Sequence, residues 1–431
     1  MVTVAEQFQH SDQIEADRSI SSDQISSFRI AYICFDVVPA PKGAAIHIEA
    51  FAHALGTLPG TLDLVTVSPN GTILDQPTHW PGVRHIALPA VGKTLIDRVL
   101  DFRRHLWQWL QAQQAFDVIQ IRSIYEGFPI AINKEQVCQQ LFFEVNGMPS
   151  IELKYRYPKV MDDDDLMTKI IAQEDFCLAQ SDRIITPSSV TRNYLLQRGV
   201  SEESIHVIPN GVDLDTFTYQ DSTVSDTQQE KSRSLKSAPF KLLYIGTLSA
   251  WQGVELAIDA LALYCRDAPA TLTIIGPVRG KQDTVLMDLA AKLGVADQVT
   301  ILPPMTQTEL VQYMHGADAI AAPLKPNDRN LVQGCCPLKV IEGMATGTPV
   351  ITSDLPVIHD LGENNVHFLA VRPGSSKAIK DAMLRLSSDE SLLKSIAHQG
   401  YLQAQLHFPW QRAQNSLLCL YQAVKTPVNG T

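Results

Sequence analysis

Short apolar runs rich in branched residues alternate along this chain with longer stretches in which apolar positions recur every three or four residues. The runs Arg29–Phe35, Leu62–Val67, Phe116–Ile121, Gln140–Val145 and Arg183–Pro187 predict strands. Between them, Ile46–Leu55 and Val190–Gly199 predict helices. Strand and helix in alternation imply parallel sheets with helical crossovers. The pattern stops over 217–239, which is polar, rich in Ser, Gln and Thr, and reads as a linker or surface loop. It restarts with strands at Lys241–Gly246, Thr271–Gly276, Gln298–Pro303, Ala319–Leu324 and Thr348–Ser353, and a helix at Glu255–Tyr264. The prediction is an α/β chain with two doubly wound domains facing a cleft, the first over 28–216 and the second over 240–407. Residues 1–27 read as a polar tail and 408–431 as a C-terminal segment. In such sheets ligands lie beyond the carboxyl ends of the strands, so the cleft is the expected site.

Composition narrows the function. A chain of 431 residues predicts two or three domains. With 45% hydrophobic and 19% charged residues it is a folded chain and not a disordered one. No apolar run reaches the ~18 residues of a membrane span. The N-terminus has no basic start followed by an apolar core, which predicts a cytoplasmic protein, peripheral at a membrane at most. The net charge of -11 argues against a nucleic-acid partner and against strong binding to anionic lipid; an anionic ligand would need a locally basic site. The seven cysteines (Cys34, Cys138, Cys177, Cys265, Cys335, Cys336 and Cys419) are odd in number and form no CxxC pair, a pattern that fits a reducing compartment better than a disulfide framework or zinc.

Three tempting motifs fail. Val91–Thr94 reads VGKT, but the first glycine of a phosphate-binding loop is replaced by Ala87. No GxGxxG follows a strand, so dinucleotide redox chemistry has no support. The run Asp162–Asp165 is a solvated helix start favoured by the helix dipole before it is a metal site, so no metal is expected.

Four stretches carry more chemistry: PKGAAIHIEAFAHAL (41–55), VIPNGVD (207–213), YIGTLSAWQGVELAIDAL (244–261) and CPLKVIEGMATGTPVITS (336–353). In the last, Pro337 suits a first helical position, where its missing N–H costs nothing. The free N–H groups and the positive dipole end of that turn suit a diphosphate. Glu342 follows one turn on, and Gly347 suits a left-handed helix stop. Together the four resemble the retaining glycosyltransferases of family 4, which have two Rossmann-like domains in the GT-B arrangement. The CPLK start is closer to a subset with Ser-Pro-Leu-Lys.

The resemblance implies a nucleotide-diphosphate-sugar donor held mainly by the second half and a carbohydrate, lipid-linked or small-molecule acceptor held mainly by the first. It implies transfer with retention, no cofactor, and a last helix, bent in at Pro409, that crosses back to the first half. Donor-binding positions would be Gly246, Thr247, Gln252, Cys336, Pro337, Leu338 and Glu342, with Glu342 on the ribose. Gly43, Ala44 and His47 would meet phosphate or acceptor. Arg122, at a strand end, is a candidate for an acidic acceptor. Where relatives carry a histidine near the sugar, this chain has Glu144 and Asn146. The chain also departs from the family at three places. Gly334 stands where the first glutamate of E-x7-E is usual, and Thr247 and Gln252 stand where an Arg and a Lys are usual. Some other cation must therefore meet the leaving diphosphate. Lys339 is the first choice, with Arg279 and Arg329 as reserves, so Lys339, Glu144 and Arg279 are the candidate catalytic residues. A thiol at a helix start near a lysine is also expected to be reactive, which singles out Cys336. Two rival functions remain: a nucleotide-sugar epimerase of the same fold, and a non-catalytic nucleotide-sugar binder that supports another transferase.

Overall fold

The structure, a computed structural model, describes residues 28–220 and 238–425. The predicted tail over 1–27 and most of the predicted linker lie outside the described residues.

Eight strands make the first sheet: β1 (Phe28–Ile33), β2 (Gly60–Val67), β3 (Leu74–Pro77), β4 (Val83–Leu88), β5 (Phe116–Ile121), β6 (Cys138–Glu144), β7 (Arg183–Thr186) and β8 (Ile205–Val207). Their order is β3-β4-β2-β1-β5-β6-β7-β8, parallel throughout except for the antiparallel edge strand β3. Six parallel strands make the second sheet: β9 (Phe240–Ile245), β10 (Ala270–Ile275), β11 (Val299–Leu302), β12 (Ala319–Ala322), β13 (Val350–Ser353) and β14 (Leu369–Val371). Their order is β11-β10-β9-β12-β13-β14. The central strands are buried on both faces, which is why they read in sequence as near-continuous apolar runs. Strand order reverses at β1 in one sheet and at β9 in the other, and crevices open beyond the carboxyl ends at such points.

Seven helices bear on the site. They are α1 (Gly43–Gly56), α2 (Leu95–Gln111), α3 (Ile124–Ile132), α4 (Pro149–Arg156), α5 (Ser189–Gln197), α6 (Leu338–Thr346) and α7 (Trp410–Lys425). The sequence patterns missed α2. Its start is VGKT: the Thr94 side chain accepts from Asp97 N while Asp97 answers to Thr94 N, a capping box and not a phosphate loop. The acidic run does open a helix, with Asp163 capping Leu166 N. Helix α7 lies on the first half, as the resemblance implies. Its Ala413, Leu417 and Tyr421 join the core around β1 and α1, Gln414 Nε2 donates to Ala50 O at 2.8 Å, and Pro409 bridges to Val212.

The linker expectation needs correction at its start. Phe217 is 1% exposed in the core of the second half, Tyr219 stacks on Tyr401 at 4.3 Å, and Gln220 N donates to Thr346 O. Aromatic residues anchor the exit from the first half where a polar spacer was expected. Among the described residues no helix is long and apolar enough to cross a membrane.

Candidate functional site

A cleft of about 900 Å³ separates the two sheets. Its floor is the loop after β1 and its roof the loop after β9, the two reversal points. Gly43, Ala44, His47, Arg122, Asn146, Gly246, Thr247, Gln252, Arg279, Cys336, Pro337, Leu338, Lys339 and Glu342 all line it. Of the residues singled out in the sequence, Glu144 is absent from its walls.

On the second-half wall, Pro337 stands at the cap of α6 and Leu338 opens the helix, one residue later than the sequence implied. No side chain caps that helix start, nor the start of α1 opposite, so both leave N–H groups unmet at the cleft. Gly347, with φ 73°, ends α6 as expected. Lys339 and Glu342 are each 7% exposed, so they are not a surface ion pair. The Lys339 ammonium donates to Gln252 Oε1 at 2.8 Å and lies 4.2 Å from the centre of the Tyr244 ring. A Cβ on Gly246, where φ is 126°, would stand 3.1 Å from Lys339 Nζ. The glycine leaves the space that the ammonium fills. Lys339 thus reaches the loop after β9 from α6, beside Gly246 and Gln252. Burial pulls its pKa down to about 7, against the attraction of Glu342. Burial pushes Glu342 up to about 7, against Lys339. Both lean toward their neutral forms because each lacks a sufficient partner.

The Cys336 expectation is overturned. The thiol is 7% exposed and burial pushes its pKa up, so it is an inert core group and not a reactive one. Its backbone matters more: Cys336 O accepts from Asn210 Nδ2 at 2.7 Å. The reserve cation Arg329 is also committed, pairing with Glu152 at 2.5 Å and donating to Gly334 O at 2.6 Å. Arg279 stays exposed on the loop after β10, and among the described residues only its backbone is hydrogen-bonded.

The first-half wall is organised around Glu144, and here too an expectation is corrected. Glu144 is 1% exposed and does not reach the cleft surface. Its Oε2 accepts from Tyr32 Oη at 2.6 Å and from Gln120 Nε2 at 2.8 Å. Its Oε1 meets Arg122 Nε at 2.8 Å, His47 Nε2 at 2.8 Å and the Asn146 amide. Burial would raise its pKa, but Arg122 and His47 together hold it well below the usual carboxylate range. With both oxygens occupied, Glu144 is a positioning residue and not a substrate contact. His47 Nδ1 meets Asn210 Oδ1 at 2.7 Å, while Nε2 stands 2.8 Å from Glu144 without the geometry of a hydrogen bond. A chain of polar contacts therefore runs from Glu144 through His47 and Asn210 to the carbonyl before α6, joining the two walls. Asn210 belongs to the VIPNGVD stretch, but nothing local in the sequence shows that it spans the cleft.

Further contacts close the two halves on each other. Fully buried Gln333 accepts from Met148 N at 2.9 Å and donates to Glu152 at 2.9 Å. Tyr155 and Trp251 meet edge to face at 5.5 Å. Gly334, with φ 84°, packs on the start of α5, where a Cβ would lie 2.7 Å from Thr191 Oγ1 and 2.8 Å from Ser188 Oγ. The absent glutamate has no room in this arrangement.

Comparison with known proteins agrees with this geometry. The family described as "Glycosyltransferase Family 4" matches residues 41–216, and "Glycosyl transferases group 1" matches 225–403. A D-inositol 3-phosphate glycosyltransferase of Xylanimonas cellulosilytica is 26% identical over 263 residues, 60% of each chain. A glycogen synthase of Mycobacterium tuberculosis is 27% identical over 262 residues, 60% of this chain and 58% of that one. Matches thus span about three fifths of the length of these curated relatives. Among solved structures, sucrose-phosphate synthase from Thermosynechococcus elongatus superposes with a TM-score of 0.74 at 20% identity, covering 92% of this chain and 99% of that one. Anabaena HepE in complex with UDP and glucose superposes with a TM-score of 0.69 at 17% identity, covering 92% and 100%. These likenesses give the fold its name, GT-B.

Proposed function

We propose a reaction from one premise: the chain belongs to the glycosyltransferases of family 4. It moves a sugar from a nucleotide-diphosphate sugar to an acceptor hydroxyl, with retention at the anomeric carbon. The observation that carries the reading is the buried Lys339 ammonium beside the uncapped start of α6, with Glu342 one turn further along the same cleft wall. A diphosphate there would supply the charge that both helix start and lysine lack. Glu342 would accept from the ribose hydroxyls. The bond from the anomeric carbon to the diphosphate oxygen breaks as the acceptor oxygen attacks from the same face, and the departing oxygen takes the acceptor's proton. No separate base is then needed. Lys339, Arg279 and the helix start stabilise the charge that develops on the leaving group. The reaction as proposed uses no cofactor beyond the donor. Glu144, His47 and Asn146 set the shape of the acceptor wall.

The HepE complex with UDP makes UDP-sugars the first donors to test, beside GDP- and ADP-sugars. Incubation with that panel should release free nucleoside diphosphate from at least one donor, by transfer or slow hydrolysis. An isomerised donor without release would assign an epimerase. A rise in melting temperature with neither product would leave only a binder.

A further inference from the structure

We propose that the acceptor carries an anionic group, a phosphomonoester or a carboxylate, held on the first-half wall by Arg122, Arg98 and Arg156. The word acceptor rests on the glycosyl-transfer reading; the anion site rests on the chemistry of the wall itself.

Arg122 is the built part of this site. Its side chain is 10% exposed, and its Nε is fixed on Glu144 at 2.8 Å. The terminal nitrogens make no hydrogen bond among the described residues, and the residue lines the cleft. A guanidinium held at one nitrogen, with its fork left open, is preorganised for a planar or tetrahedral anion. Arg98, half-buried on α2, has no side-chain acceptor among the described residues. Arg156, at the end of α4, rests on the Tyr157 ring at 5.2 Å and likewise has no acid partner there. Both line the same cleft.

This surplus is not a shortage of acids, because the chain has 46 Asp and Glu against 35 Lys and Arg. Four arginines away from the cleft do find acids: Arg84 with Asp75, Arg104 with Asp101, Arg192 with Glu202, Arg198 with Glu174. The acids of this wall are answered except at one atom, Glu126 Oε2, which is buried with no hydrogen-bond partner among the described residues. Asp36 meets Lys42, and Glu152 meets Arg329. Glu126 Oε1 takes the backbone N–H groups of Arg122 and Ser123 at 2.8 and 2.6 Å. What remains at the cleft is three guanidinium groups with open nitrogens against one open carboxylate oxygen, so donors are in surplus. The donor diphosphate is met from the opposite wall, so a second anion is needed to use them.

The test fills the donor side first. With saturating UDP, GDP or ADP, whichever raises the melting temperature most, binding of glucose 6-phosphate, glucuronate and glucose is measured by calorimetry in the parent and in the R98Q/R156Q double variant. Both changes are at or near the surface, and the melting curve checks the fold. At least one anionic probe should bind tenfold or more tightly than glucose, and that preference should fall by ~10- to 100-fold in the double variant, the range expected for lost hydrogen bonds to a charged group. Preference for the phosphate or for the carboxylate identifies the group. Equal binding of all three probes, or an unchanged preference in the double variant, overturns the proposal. The two readings fail separately. No nucleoside diphosphate release from any donor, with anion binding intact, removes the acceptor assignment and leaves an anion site. Release with no anion preference leaves a transferase for neutral acceptors.

Discussion

Two buried carboxylates, Glu144 behind the first-half wall and Glu342 on the second-half wall, stand in opposite electrostatic states. Glu144 has both oxygens occupied by Tyr32, Gln120, Arg122, His47 and Asn146, and its pKa is held low. Glu342 has only the attraction of Lys339 against its burial, and its pKa is pushed up to about 7. The difference separates structure from reactivity. A buried charge whose partners are complete stabilises the fold that surrounds it. A buried charge without them is a standing cost that a ligand can relieve.

Glu144→Gln should disturb the molecule most. It keeps the shape but leaves Arg122 and His47 without their counter-charge, and it should cost about 3–5 kcal/mol, the usual loss when one member of a buried pair is removed. Denaturant melts measure this; a loss below about 1 kcal/mol would mean that the network is not the anchor described. Lys339 should behave in the opposite way. Lys339→Met should leave the unliganded fold as stable or more so, because it removes a desolvated ammonium. Lys339→Ala should nevertheless lower turnover by ~100-fold, with a smaller rise in donor KM, if its loss resembles that of one oxyanion donor. Lys339→Arg should recover part of it. Turnover within about threefold of the parent would move the role to Arg279.

Glu342→Ala should weaken nucleoside diphosphate binding by ~10- to 100-fold while the protein stays folded. Calorimetry decides, and unchanged affinity would take Glu342 off the ribose. The smallest effect is the proton balance. Folded Lys339 titrates near 7 against an ordinary 10.5, so the unfolded chain binds more protons between those values. Its contribution therefore makes unliganded stability rise with pH across that window. Glu342, raised from 4.5 to about 7, binds more protons when folded, so its contribution falls as pH rises through that lower range. An arriving diphosphate favours protonated Lys339. At pH 8 binding should take up a fraction of a proton, seen as a different apparent enthalpy in Tris and HEPES. Lys339→Met should abolish the difference.

The sequence showed the alternating fold wherever strands are buried on both faces, since only there does the apolar run survive as a signal. It did not show β3, whose residues are polar and exposed at an edge, or α2, whose cap was hidden in a failed nucleotide motif. The start of α6 was legible because proline, glycine and a periodic face are local signals. The Glu144 network was not, because its partners stand as far as 112 residues away along the chain. Cys336 was misread for the same reason: position along a helix can be read locally, but burial depends on what the rest of the chain lays over it.

Gly334 has a consequence for how such a chain can change. With φ 84° and the Ser188 and Thr191 hydroxyls within 2.8 Å of any added Cβ, it cannot regain the common glutamate by a single substitution while the two halves stay closed. Gly334→Glu would act as a wedge between the halves, and its effect would depend on what occupies positions 188 and 191. The departure from the family pattern is thus epistatic: the path back runs through the opposite domain before it reaches the site.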